Sequence, residues 1–174
     1  EPLARALRDH AGREPHAGAR IVTPCAHASW LPTRGAGQTT GTMVSRLARA
    51  ASLHLFTGRS APCLSVLKPV PLGRGPVDTG PQPSARGWDG ESLFWRAERL
   101  HRTVLRDHAA RRLAFEDERA ALEARALALA SPSPDEASAL FEAHREAAAR
   151  RAERAAGPPP RRGPRAFDVY WRAQ

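Results

Sequence analysis

From Glu91 to Ala130 the chain contains neither proline nor glycine, and Ala, Leu, Arg and Glu fill most of the run. These are strong helix formers, so about 40 consecutive residues of this kind predict a rod about 60 Å long. Asp89 is placed to cap its start, with Trp88 before it able to staple onto Leu93. The apolar positions are Leu93, Ala97, Leu100, Val104, Leu105, Ala109, Leu113, Phe115, Leu122, Ala126 and Leu129. They drift around the rod without keeping a strict heptad, which argues against a long regular coiled coil.

Ser131-Pro132-Ser133-Pro134-Asp135-Glu136 is the sharpest local signal in the chain. Ser133 can cap, Pro134 suits a first helical position, and Glu136 completes a capping box. The spacing predicts a second helix over 134–156, with Ala137, Leu140, Phe141, His144 and Ala148 on one face. Gly157 followed by Pro158-Pro159-Pro160 ends it. Two helices joined by a short Pro-containing turn predict an all-α fold. It is a long helix plus a shorter antiparallel helix, a helical hairpin over 88–156, with extended and largely irregular N- and C-terminal segments.

Composition bears on how far that hairpin supports itself. The chain has 174 residues with 16 Pro and 13 Gly, and Ala dominates its apolar content. Alanine buries little area, and at about 25 cal/mol per Å² such an interface barely offsets chain entropy. The hairpin is therefore expected to be completed by a partner.

The N-terminal half reads differently. Between Glu14 and Asp78 there is no acidic residue, and Met43, the one methionine, lies inside that stretch. MVSRLARAASLHLF, residues 43–56, is basic and Ser-bearing, and a helical reading puts Val44, Leu47, Ala51 and Leu55 on one face, with Arg46 and Arg49 toward the other. That is the composition of a mitochondrial transit peptide; the bland alternative is a basic surface helix. The Pro/Gly-rich segment PVPLGRGPVDTGPQPSARGW that follows reads as a linker, so 43–87 is taken as transit peptide and linker. Processing is expected between about Arg59 and Trp88, with Ser84-Ala85-Arg86-Gly87 as one place. Residues 1–42, with scattered Pro, Gly and His, read as a disordered upstream extension and Met43 as the natural initiator. The other reading is a piece of a longer chain with a disordered N-terminus.

The net charge of +9 belongs mostly to that half, since Trp88 onward has 16 Arg against 14 Asp or Glu. Cys25 and Cys63 form no CxxC pair and no disulfide framework, which fits a reducing compartment or a removed segment. No apolar run reaches the roughly 18–20 residues that span a bilayer, so no stable membrane span is expected.

No arrangement supports catalysis, a cofactor, a metal or a small-molecule substrate. His101 and His108 are seven residues apart on the long helix and His144 lies on the second, a spacing that reads as surface or interface histidines. Glu116-Asp117-Glu118 splay over more than half a helical circumference, a solvated face. No phosphate-binding glycine loop, dinucleotide pattern or nucleophile elbow occurs. The tail, residues 157–174, is different. Arg161, Arg162 and Arg165 precede Phe167, Tyr170, Trp171 and Arg172. Guanidinium groups beside aromatics suit RNA phosphates and exposed bases. They also suit a protein groove in which aromatics dock and arginines line the rim, or the aromatics can fold back onto the hairpin.

In layout the chain resembles the small accessory proteins of the mitochondrial ribosome. The supporting segments are MVSRLARAASLHLF, FWRAERLHRTVLRDHAARRLAFEDERAALEARALALA and PPPRRGPRAFDVYWRAQ. The resemblance implies a matrix protein with a structural, non-enzymatic function, bridging rRNA and neighbouring ribosomal proteins. The alternative is an assembly factor or accessory subunit of a respiratory-chain complex, acting by protein contact.

Overall fold

The computed structural model describes residues 2–15, 23–27, 38–83 and 88–155. In chain order the elements are α1 (Pro2–Ala6), β1 (Thr42–Arg46), β2 (Leu53–Thr57), β3 (Lys68–Pro69), α2 (Leu93–Val104), α3 (His108–Ala128) and α4 (Pro134–Ala155). The fold is therefore mixed α and β, which corrects the all-α expectation.

The correction originates in residues 42–57. The strands β1-β2-β3 form an antiparallel meander, with Val44 opposite Leu55 and Phe56 opposite Lys68. Leu53, Leu55 and Thr57 are buried in alternation with His54 and Phe56, the period-two pattern of a strand with one covered face. The helical reading of 43–56 fails because Leu47, assigned to its apolar face, is exposed in the turn between β1 and β2. A paired hairpin satisfies the same backbone groups and places Leu53 and Leu55 against Leu67, Ala126 and Leu140.

Residues 59–69, which follow β2 and end with β3, form a buried strap. Ser65 folds it by donating its hydroxyl toward Ala61 O (2.9 Å) and Ser60 O (3.2 Å), while Leu64 N donates to Ala61 O at 2.9 Å. Ala61 takes φ 58°, a left-handed conformation that costs a non-glycine residue about 1 kcal/mol or more. The surrounding bonds hold it there.

The predicted rod is two helices. Ser92 caps α2, accepting from Trp95 N, and Asp89 supports that cap by accepting from Ser92 N at 2.6 Å. The chain turns at 105–107, where Asp107 caps α3 by accepting from Ala110 N. The turn explains the drifting apolar stripe: each half presents its own face, Leu100 and Val104 from α2, Phe115 and Leu122 from α3. The capping box before α4 forms in both directions, Glu136 N to Ser133 Oγ at 3.2 Å and Ser133 N to Glu136 Oε2 at 2.8 Å. Helix α4 packs against both α2 and α3. Among the described residues no helix is long and apolar enough to cross a membrane.

Candidate metal centre

Four side chains from three separated parts of the chain converge at one end of the core. His10, Cys25, His27 and Cys63 each offer one ligand atom, and those atoms lie within 4.8 Å of one another.

Each is held by local chemistry. His10 follows α1, and the turn after it is closed by Arg13 N donating to His10 O (3.0 Å) and Ala11 N to Asp9 Oδ1 (3.1 Å). Arg8 ties this segment down. Its Nε donates to Pro62 O (2.9 Å), one Nη to Ser65 O (3.2 Å), and both Nη atoms reach the carboxylate of Glu123 on α3. Glu123 Oε1 also accepts from Leu67 N at 3.0 Å, so one carboxylate joins the N-terminus, the strap and α3. Cys25 and His27 flank Ala26, which is pinned to Thr39: Ala26 N donates to Thr39 Oγ1 (2.9 Å) and Thr39 N to Ala26 O (3.0 Å). Cys63 sits inside the strap turn that Ser65 closes.

The three distances from His27 Nε2 are close to the edges of a zinc tetrahedron. His27 Nε2 lies 3.1 Å from His10 Nε2, 3.4 Å from Cys25 Sγ and 3.5 Å from Cys63 Sγ. With Zn–N near 2.0–2.1 Å and Zn–S near 2.3 Å, tetrahedral edges are about 3.3 Å for N···N and about 3.6 Å for N···S. Two thiolates with two imidazoles are a zinc donor set, and their charge cancels that of a divalent ion, which suits a buried centre. Between the thiols, the Cys63 S–H held toward Cys25 favours the Cys25 thiolate and pushes the Cys63 thiol up, with burial adding to that rise.

Two more histidines surround the four. His101 of α2 places Nε2 at 2.9 Å from His27 Nδ1. Burial, with the neighbouring His27, drives the His101 pKa well below its usual value, so His101 stays neutral and can accept the His27 Nδ1–H. That bond leaves His27 Nε2 as the ligand atom, the support that metal-bound imidazoles ordinarily have. His108, at the start of α3, sets Nε2 at 3.6 Å from Cys63 Sγ and bonds Glu14 Oε1 through Nδ1 at 2.6 Å. Burial lowers the His108 pKa, with Glu14 acting in the opposite sense. An open cleft of about 730 Å³, lined by Arg8, His10, Cys63, His108 and Arg112 among others, brings solvent to one side of the quartet.

His101, His108 and His144, expected at a surface or interface, are all buried. His101 and His108 join the cluster, and His144 stands apart from it on α4. Three of the four convergent ligands lie in residues 1–42, expected to be disordered. The only local sequence signal is the Cys25-x-His27 pair; the remaining spacings are long and irregular. Arg161, Arg162, Arg165, Phe167, Tyr170, Trp171 and Arg172 lie outside the described residues. The chain matches no protein-family model, no curated protein and no solved structure.

Proposed function

We propose that this chain is a zinc-stapled, non-enzymatic accessory protein that works by protein contact inside a larger mitochondrial assembly. The observation that carries the reading is the donor set. Four protein ligands of this kind would fill all four positions of a zinc ion, the arrangement of structural rather than catalytic zinc.

Contact through protein is favoured over contact through rRNA by what the helical arginines do. Arg112 and Arg119 pair with Glu116, Arg119 with Glu123, Arg145 with Glu142, and Arg150 and Arg151 with Glu118. Cations engaged in this way are poorly placed to neutralise phosphates. The basic tail, 157–174, remains the segment suited to either surface. A ribosomal bridge is therefore the second reading, and an assembly factor or accessory subunit of a respiratory-chain complex the first.

The mitochondrial address rests on the acid-free stretch from Pro15 to Val77. A zinc staple and a cleaved leader exclude each other, however. Translation from Met43 removes His10, Cys25 and His27, and cleavage beyond Cys63 removes all four ligands. The reading requires an uncleaved signal, with residues 10–63 in the working protein.

Metal analysis of the full chain tests the staple directly. One zinc per chain, with loss of cooperative melting on chelation, is the expected result; a chain that melts identically with and without chelator overturns it. Peptide mapping of the endogenous protein separates the N-terminal readings, since peptides from residues 2–42 are required. Sedimentation of a mitochondrial lysate with and without RNase decides the assembly. Migration with inner-membrane complexes, insensitive to RNase, is expected, and RNase-sensitive migration with ribosomal subunits favours the bridge.

A further inference from the structure

A second polar cluster lies in the core away from the metal ligands. The buried strap brings Arg59 and Lys68 under α4, whose His144, Ala147 and Arg151 lie on one helical face. Val66 of the strap packs on Ala147, between the histidine and the arginine. Arg59, Lys68, His144 and Arg151 are all at least 97 % buried, so this interior holds three side chains that are normally cationic.

Their hydrogen bonding is incomplete. Arg59 donates Nε to Ser65 Oγ (3.2 Å) and Nη2 to Leu64 O (2.9 Å), and its Nη1 has no partner among the described residues. Arg151 donates Nε to Glu118 Oε2 at 2.9 Å, and neither of its Nη atoms has a partner among the described residues. Both ring nitrogens of His144 lack one as well. Lys68 donates to Val66 O at 3.0 Å and lies 5.0 Å from the Phe141 ring centroid. The groups feel each other: Lys68, Arg59 and Arg151 together act against protonation of His144, and Arg151 acts against the charge on Arg59. Glu98 is the one carboxylate buried to a similar degree nearby; it stands 3.7 Å from Arg102 and leaves Oε1 without a partner. Glu98, Glu118 and Glu123 oppose the charges of Arg59, Arg151 and Lys68 in turn, yet the unpartnered guanidinium N–H groups remain a strongly unfavourable arrangement in a core.

We propose that Arg59, His144 and Arg151 form a buried site for a small tetrahedral oxyanion, of which inorganic phosphate is the representative. The paired Nη atoms of Arg151 match two oxygens of one oxyanion, the geometry in which guanidinium is stronger than ammonium. Arg59 Nη1 and one His144 N–H supply further donors, and Lys68 supplies field without a direct bond. The site shares no residue with the zinc quartet, although Arg59 lies within charge range of Cys63.

The experiment uses the full chain, loaded with zinc where it binds zinc, exchanged into chloride and then into phosphate at matched ionic strength. Phosphate released by acid denaturation is measured alongside thermal melting. The expected result is about one phosphate per chain after exhaustive dialysis, or a saturable rise of several degrees in Tm with phosphate over chloride. Arg151→Met keeps the apolar bulk, and Glu118 retains Arg150 at 3.1 Å. This variant should fold and lose both bound phosphate and the phosphate response, whereas Arg125→Met on the exposed face of α3 should keep them. Neither bound phosphate nor a phosphate-specific shift in the wild type overturns the proposal. So does a response that Arg151→Met and Arg59→Met leave unchanged.

Discussion

His27 stands 2.9 Å from His101, nitrogen to nitrogen, so the imidazole that faces both cysteines is steered by a ring on helix α2. The bond spans 74 residues of sequence and joins the N-terminal segment to the helical layer. With His101 as a neutral acceptor, His27 Nε2 would be the nitrogen left for a metal ion. In this way the burial of one histidine controls the ligand behaviour of another.

Replacing Cys63 with serine should abolish stoichiometric zinc, because a hydroxyl remains protonated where a thiolate binds. Zinc content should fall from about one to below about 0.1 per chain, read by elemental analysis. The melting midpoint should fall by about 10 °C, which corresponds to roughly 3–4 kcal/mol at this chain length. An unchanged melting curve with zinc lost would mean that the ion contributes nothing to the fold.

His101→Leu removes the acceptor while leaving all four ligands in place. Zinc affinity should weaken about 10–100-fold, the usual effect of losing an outer-sphere partner. His101→Gln, which restores a carbonyl acceptor, should recover part of that loss. Competition with a chromogenic chelator measures both, and equal affinity in the three proteins would remove His101 from the account.

In chloride buffer, without a bound oxyanion, acid should destabilise the protein through His144. Burial, then the nearby charges of Lys68, Arg59 and Arg151, hold its folded pKa well below 6.5, while the unfolded chain protonates near 6.5. Below that value the unfolded state binds the extra proton, so stability is lost as pH falls from about 6.5 through the folded value. The slope is about 1.4 kcal/mol per pH unit for one proton. His101 and His108 act in the same sense, so the test is a difference: urea titrations of His144→Leu should show a slope flatter by one proton. Parallel pH profiles would contradict the assignment.

Ser133→Ala removes half of the capping box at the start of α4. A loss of about 1 kcal/mol is expected in denaturant unfolding, because Glu136 N loses its acceptor. Glu136→Gln should cost less, since an amide oxygen still reaches Ser133 N.

The sequence made the second helix legible because its signals are local: Ser133, Pro134 and Glu136 act within one turn, and Gly157 with three prolines lies just past its end. The turn at 105–107 was harder to see. Asp107 is a good cap, but it sits in an unbroken run of helix formers, and only packing on α4 makes two short helices better than one long one. The hairpin over 42–57 was obscured by its own periodicity. Leu47, Ala51 and Leu55 recur at helical spacing, while Leu53, Leu55 and Thr57 alternate at strand spacing, and the choice depends on β3 and on α4 residue Leu140, far along the chain. The metal quartet carried almost no local signal. His10, Cys25, His27 and Cys63 acquire their geometry from Arg8, Thr39 and the Ser65 turn, which no fixed spacing describes.

The order of the ligands along the chain sets a schedule for assembly. His10, Cys25 and His27 leave the ribosome first, yet the staple cannot close until Cys63 has followed, and its supporting ring on α2 emerges later still. Nascent chains whose emerged part ends before Leu93 should therefore hold zinc weakly and leave residues 2–15 and 23–27 open to proteases. Completion of α2 would convert a loose leading segment into a protected one.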